Sequence, residues 1–126
     1  MKTDRKAVYN KYGGVCAYCG DSIDFKDMQI DHLHAKKLYE GSAIKEYDGD
    51  INELKILMPS CRMCNFYKSN CDLEVFRNEL RLIAERRLLK IFIVRLALKY
   101  GILTLRPFKG RFYFEQVEET KEINKQ

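Results

Sequence analysis

Two cysteine pairs at the same spacing constrain this chain more than any other feature. Cys16-Ala17-Tyr18-Cys19 is followed about forty residues later by Cys61-Arg62-Met63-Cys64. A two-residue gap lets both sulfurs of one turn face a single ion, and tetrahedral zinc takes four such soft ligands. Gly20 after the first pair and Pro59-Ser60 before the second suit the tight turns such knuckles need. Buried free thiols and disulfides are the alternatives. The N-terminal run MKTDRKAVYNKYGG carries charge without the apolar stretch of a signal peptide, so the expected compartment is a reducing cytoplasm. There, paired thiols hold metal more often than they form disulfides. Structural zinc contributes on the order of 10–16 kcal/mol of folding free energy in finger peptides. The segment between the pairs is too polar to fold without such a term. Cys71 stands apart and reads as a small buried residue at the start of a long helix.

The rest of the chain sets an α+β frame around these pairs. Its 126 residues suit one domain, with a cysteine-bearing core over 1–71 and a helical extension over 72–126 packed into it. Hydrophobic residues at 46% and charged residues at 33% exclude disorder and collagen-like repeats. The most apolar stretch is interrupted by Lys90, Arg95 and Lys99, which excludes a membrane span. Thr3 or Asp4 can cap a first helix that Gly13-Gly14 ends. From Asp72, the steps Leu73, Phe76, Leu80, Ile83 and Ala84 predict a long helix, with a second helix or a bend near Arg86-Arg87 and a stop at Gly101. Lys109-Gly110 reads as a turn, and Arg111-Phe112-Tyr113-Phe114 as a short terminal strand. The net charge of +5 leans toward polyanionic partners. Arg77, Arg81, Arg86 and Arg87 can form a DNA-facing stripe, although arginines among glutamates usually solvate a helix face. The apolar run Ile91–Leu98 reads as core, with a homodimer contact as the alternative.

The segment between the pairs carries the chemistry. Met28-Gln29-Ile30-Asp31-His32-Leu33 alternates as a strand does. Asn65-Phe66-Tyr67-Lys68, directly after the second pair, predicts a short helix with Asn65 and Lys68 on adjacent turns. A metal tying the two regions together lets Asp31, His32 and Asn65 converge. Carboxylate and amide oxygens are hard ligands suited to magnesium. A histidine titrating near neutrality can take a proton from water. A metal on the scissile phosphate and a base on the water are the minimum for phosphodiester hydrolysis.

With those residues in place, the stretch from about residue 9 to 70 resembles the HNH endonucleases. The resemblance rests on Cys16-x-x-Cys19, Asp31-His32 and Cys61-x-x-Cys64-Asn65-x-x-Lys68. Tyr12-Gly13-Gly14, Met58-Pro59-Ser60 and the terminal Phe112-Tyr113-Phe114-Glu115 look specifically like the small HNH proteins of phages and prophages. The resemblance implies a ββα-metal core braced by a four-cysteine zinc site. It implies His32 as general base, with Asp31 and Asn65 holding a catalytic divalent ion (magnesium, or manganese or nickel), and Cys16, Cys19, Cys61 and Cys64 holding structural zinc. Lys68, Lys36, Lys37 and His34 are expected near DNA phosphates. The implied partner is DNA, within a bacterial host cell. A decayed nucleic-acid-binding or phage packaging-accessory module is the alternative function. Two positions depart from the family pattern. Ile56 stands nine residues before Asn65, where the family's middle asparagine braces the hairpin loop, and Asn52 lies four residues earlier. Ala35 stands where many relatives carry proline.

Overall fold

A computed structural model of the chain describes residues 4–34, 37–40, 43–46 and 54–124, the segments 37–40 and 43–46 by backbone alone. The chain forms two compact units. One comprises residues 1–73 and 112–126, the other residues 74–111.

The first unit begins with helix α1, Arg5–Asn10, whose N-cap Asp4 accepts a hydrogen bond from the Ala7 amide at 3.2 Å. Gly13 and Gly14 then turn the chain at positive φ. Strand β1, Gln29–His32, pairs antiparallel with β4, Leu57–Ser60, with His32 opposite Leu57 and Gln29 opposite Ser60. Between them in sequence, β2 (Lys37–Glu40) and β3 (Ala43–Glu46) form a separate antiparallel pair. Helix α2, Arg62–Lys68, follows β4 directly. Two antiparallel strands and a helix therefore form one hairpin–helix unit. Val8 of α1, Met28 and Leu57 of β4 form a sealed cluster against the strands, with Tyr9, Ile23 and Ile30 packed around them.

The end of the chain departs from the sequence expectation. Residues 113–124 form helix α6, Tyr113–Asn124, and no terminal strand is present there. The aromatic run favours a strand by propensity, but one local hydrogen bond and two to a distant segment decide otherwise. The Glu115 carboxylate reaches back to accept from the Phe112 amide at 2.9 Å, a capping-box contact that starts a helix. The amides of Tyr113 and Phe114, unpaired in the first turn of any helix, donate to Tyr18 O at 3.0 Å and Ala17 O at 2.8 Å. Phe112 and Phe114 are buried against Tyr18, so the same residues supply packing. Gly20 lies beneath this contact. A Cβ there would come within 2.9 Å of the Tyr113 ring, at a φ of +82°.

The second unit contains most of α3 (Leu73–Arg81), then α4 (Ile83–Arg86) and α5 (Phe92–Lys99). The predicted bend is present as a 3-10 turn over Leu88–Lys90. Gly101, at φ 73°, ends α5. Its amide bonds Leu98 O at 3.2 Å, and the Ile102 amide bonds Ala97 O at 2.9 Å, the paired contacts of a Schellman stop. Arg77 is not part of an exposed stripe. It is buried, bonded to Glu74 at 3.0 Å and to Gly110 O. Among the described residues no helix is long and apolar enough to cross a membrane.

Candidate functional site

The four paired cysteines come together. The sulfurs of Cys16, Cys19, Cys61 and Cys64 all lie within 4.8 Å of one another, with Cys19 and Cys61 3.9 Å apart. A regular tetrahedron with ~2.3 Å metal–sulfur bonds separates its sulfurs by ~3.8 Å, so the donor set fits a structural metal ion. Local backbone explains the clustering. The first knuckle closes through Gly20 N to Cys16 O at 2.9 Å and Cys16 N to Asp21 O at 2.8 Å. The second pair spans the start of α2, where Cys61 is the N-cap and its sulfur accepts from the Cys64 amide at 3.4 Å. Ala17 N to Pro59 O, at 2.8 Å, fastens the first knuckle to β4. The thiols share charge unevenly. A hydrogen bond from the Cys64 thiol lowers Cys16 to about 5. Burial raises Cys19 to about 12, and Cys64 is pushed up by its bond to Cys16 and by burial. Cys71 lies outside this cluster and is only partly buried.

Behind the cysteine cluster lies a buried polar cluster. Asp31, 6% exposed, points to the inner side of β1, where the Lys68 ammonium meets its Oδ2 at 2.9 Å. The Tyr18 hydroxyl donates to the same oxygen. Lys68 is 1% exposed and also donates to His32 O at 2.8 Å and Cys71 O at 2.7 Å. Burial, then the Asp31 charge, push the Tyr18 hydroxyl far above the ordinary phenol value, so it stays a donor. Lys68, expected at a phosphate, is instead the interior cation that joins β1, the end of α2 and the segment beyond it. A charge this deep in the protein is kept only with a partner and filled hydrogen bonds.

The turn that makes this arrangement possible is strained. Cys71 N bonds Lys68 O at 3.1 Å, and Ser69, the first residue inside that turn, has φ 54° and ψ −133°. These are values of a type II′ turn, in which glycine is favoured at that place. Ser69→Gly is expected to raise stability by about 1 kcal/mol by relieving backbone strain, read from the midpoint of urea unfolding. A lower midpoint would show that the serine side chain contributes more than its backbone costs.

The other predicted residues are placed as follows. His32, at the end of β1, is partly buried, with its Nε2 shielded from solvent. Asn65 is partly buried on α2, one turn before Lys68 on the same side of the helix. His34 Nδ1 lies 3.2 Å from Oδ1 of Asp72, a carboxylate of this chain. Lys36, Ala35 and Asn52 lie outside the described residues, and Lys37 is described only as the first residue of β2. Ile56, where the resemblance would expect an asparagine, is buried, and its carbonyl accepts from the Leu33 amide at 2.7 Å, extending the hairpin by one rung.

Sequence reasoning missed Tyr18 as a partner of Asp31. Nothing in the spacing of residues 18 and 31 marks the contact. At the start of α6 the sequence holds only half of the capping-box signature, Glu115 three residues after Phe112 without a capping Ser or Thr. No family model, no curated protein and no solved structure matches this chain.

Proposed function

We propose that the protein is a metal-dependent DNA endonuclease of the HNH type, with structural zinc at Cys16, Cys19, Cys61 and Cys64. The observation that carries this reading is the β1–β4 hairpin followed by α2, joined by the four-cysteine cluster, with Asp31-His32 on the strand and Asn65 on the helix. His32 takes the proton of the attacking water. Asn65 and Asp31 are the oxygen ligands for a divalent ion. Both Asp31 contacts use Oδ2, so the ion would be taken through Oδ1. When bound, such an ion supplies positive charge to the phosphate and to the leaving 3′-oxygen. Lys68 holds the His32 carbonyl and the Asp31 carboxylate in place and so fixes the strand end that presents the base.

A plasmid-nicking assay across magnesium, manganese and nickel tests this reading. Nicking is expected only with a divalent ion, and His32→Ala is expected to slow it by about 10²–10⁴-fold, the range for loss of a general base. Equal rates for His32→Ala and the parent in the same metal buffer would overturn the assignment. One observation favours a second reading. The Asp31 carboxylate already carries the Lys68 ammonium, as in a protein that binds DNA through a decayed catalytic cluster. That protein would shift DNA in a gel and leave supercoiled plasmid intact.

A further inference from the structure

The two units differ sharply in charge. Residues 74–111 hold ten Lys and Arg against three Glu, a net of +7, while the remaining residues hold thirteen against fifteen, a net of −2. The segment Arg86–Arg111 contains no acidic residue at all. Its eight cations, Arg86, Arg87, Lys90, Arg95, Lys99, Arg106, Lys109 and Arg111, are all exposed. The unit that bears the cysteine cluster and Asp31-His32 therefore repels a polyanion on balance, and the other unit attracts one.

We infer that residues 74–111 form a sequence-independent anchor for the phosphate backbone of double-stranded DNA. The identity of the polyanion rests on the nuclease reading above; the location of the anchor rests on the charge and exposure alone. Five of the eight cations are arginines, whose planar fork suits paired contacts with phosphate oxygens. Arg95 and Lys99 stand one turn apart on α5. Phe92, Ile93 and Tyr100 are exposed on or beside the same helix, which makes an anionic membrane the competing polyanion. A helix lying in a lipid interface gathers its cations along one polar face. Here α5 has eight residues, and six of the eight cations lie outside it in turns, helix ends and extended chain. That distribution suits a charged backbone followed over several contacts. Lys36, Lys37 and Lys68 are then not required for affinity.

The test is fluorescence anisotropy with a 25-base-pair duplex, without divalent ions, over a salt series. The parent is expected to bind with log K falling steeply against log salt, by ~0.9 for each phosphate contact. Reversal at Lys90→Glu, Arg95→Glu and Lys99→Glu together is expected to weaken binding by at least about 100-fold at moderate salt and to reduce that slope by ~3. Reversal at exposed Lys6, Lys26 and Lys121, each to Glu, alters net charge equally in the other unit and is expected to change affinity less than about 5-fold. Glutamine at the same three positions of α5 and its approach gives a milder series should the reversed protein fail to fold. Equal losses from both triples, or parent protein that binds phosphatidylglycerol vesicles and no DNA, would overturn the anchor. A parent that binds through residues 74–111 yet never nicks plasmid keeps the anchor and removes the nuclease reading. A reversed triple that binds and nicks like the parent does the opposite.

Discussion

Cys64→Ser is expected to unfold the cysteine-bearing unit, with bound zinc falling from one per chain to none. Four sulfurs within 4.8 Å of one another join two segments that are remote in sequence. The buried side chains they brace, among them Val8, Tyr18, Met28, Leu57, Met58 and Phe112, come from segments far apart in sequence. Structural zinc supplies on the order of 10–16 kcal/mol, whereas a whole domain is stable by only about 5–15 kcal/mol. Losing a ligand from such a site exceeds what the remaining contacts can offset. Circular dichroism and elemental analysis of the purified protein read the two effects separately. Cys71→Ser, outside the cluster, is the control and is expected to keep its zinc and most of its stability. A Cys64→Ser protein that keeps the parent's unfolding midpoint would show that the thiols pack without a metal.

The same site predicts a pH dependence with a definite sign. Cys19, raised to about 12, and Cys64, raised further, are protonated at neutral pH before metal binds. A metal that takes thiolates must displace those protons, while Cys16, held below its usual value by the Cys64 thiol, gives up its own more readily. Affinity therefore falls as pH is lowered, and binding releases protons that calorimetry in buffers of different ionisation enthalpy can count.

Lys68→Met is expected to destabilise the first unit by about 3–5 kcal/mol. Methionine fills similar space, so the loss is electrostatic rather than a cavity. Asp31 would lose the ammonium at 2.9 Å inside the protein, and the His32 and Cys71 carbonyls would each lose a donor. The double variant Lys68→Met/Asp31→Asn removes both charges and retains an acceptor for the Tyr18 hydroxyl. It is expected to regain at least half of the loss, a coupling that urea unfolding of the two singles and the double measures directly. Additive losses in the double would mean that Lys68 acts only through its two backbone carbonyls.

Much of the fold was legible because it depends on local features. The Asp4 cap, the positive-φ glycines at 13, 14 and 101, and the strand ending at His32 follow from short-range hydrogen bonding and steric freedom. The cysteine cluster was legible for a related reason, since each pair is a local turn and only the joining of the pairs is long-range. Arg77 and residues 113–124 were misjudged where distant backbone carbonyls entered. Gly110 O receives the Arg77 guanidinium, and Ala17 and Tyr18 receive the first amides of α6.

The sequence by itself determined four sulfurs in two turns at metal-ligand spacing, a strand carrying Asp31-His32 and a helix carrying Asn65, because spacing and local propensity are properties of a few neighbouring residues. Tertiary structure alone decided that Lys68 faces the interior. A lysine reads as a surface residue until Asp31, Tyr18 and two backbone carbonyls are brought around it, and no periodicity encodes that meeting. The division into two units likewise turned an unremarkable +5 into a cationic part and a slightly anionic one. Net charge is a sum over the chain, but attraction to a polyanion depends on which charges share a surface.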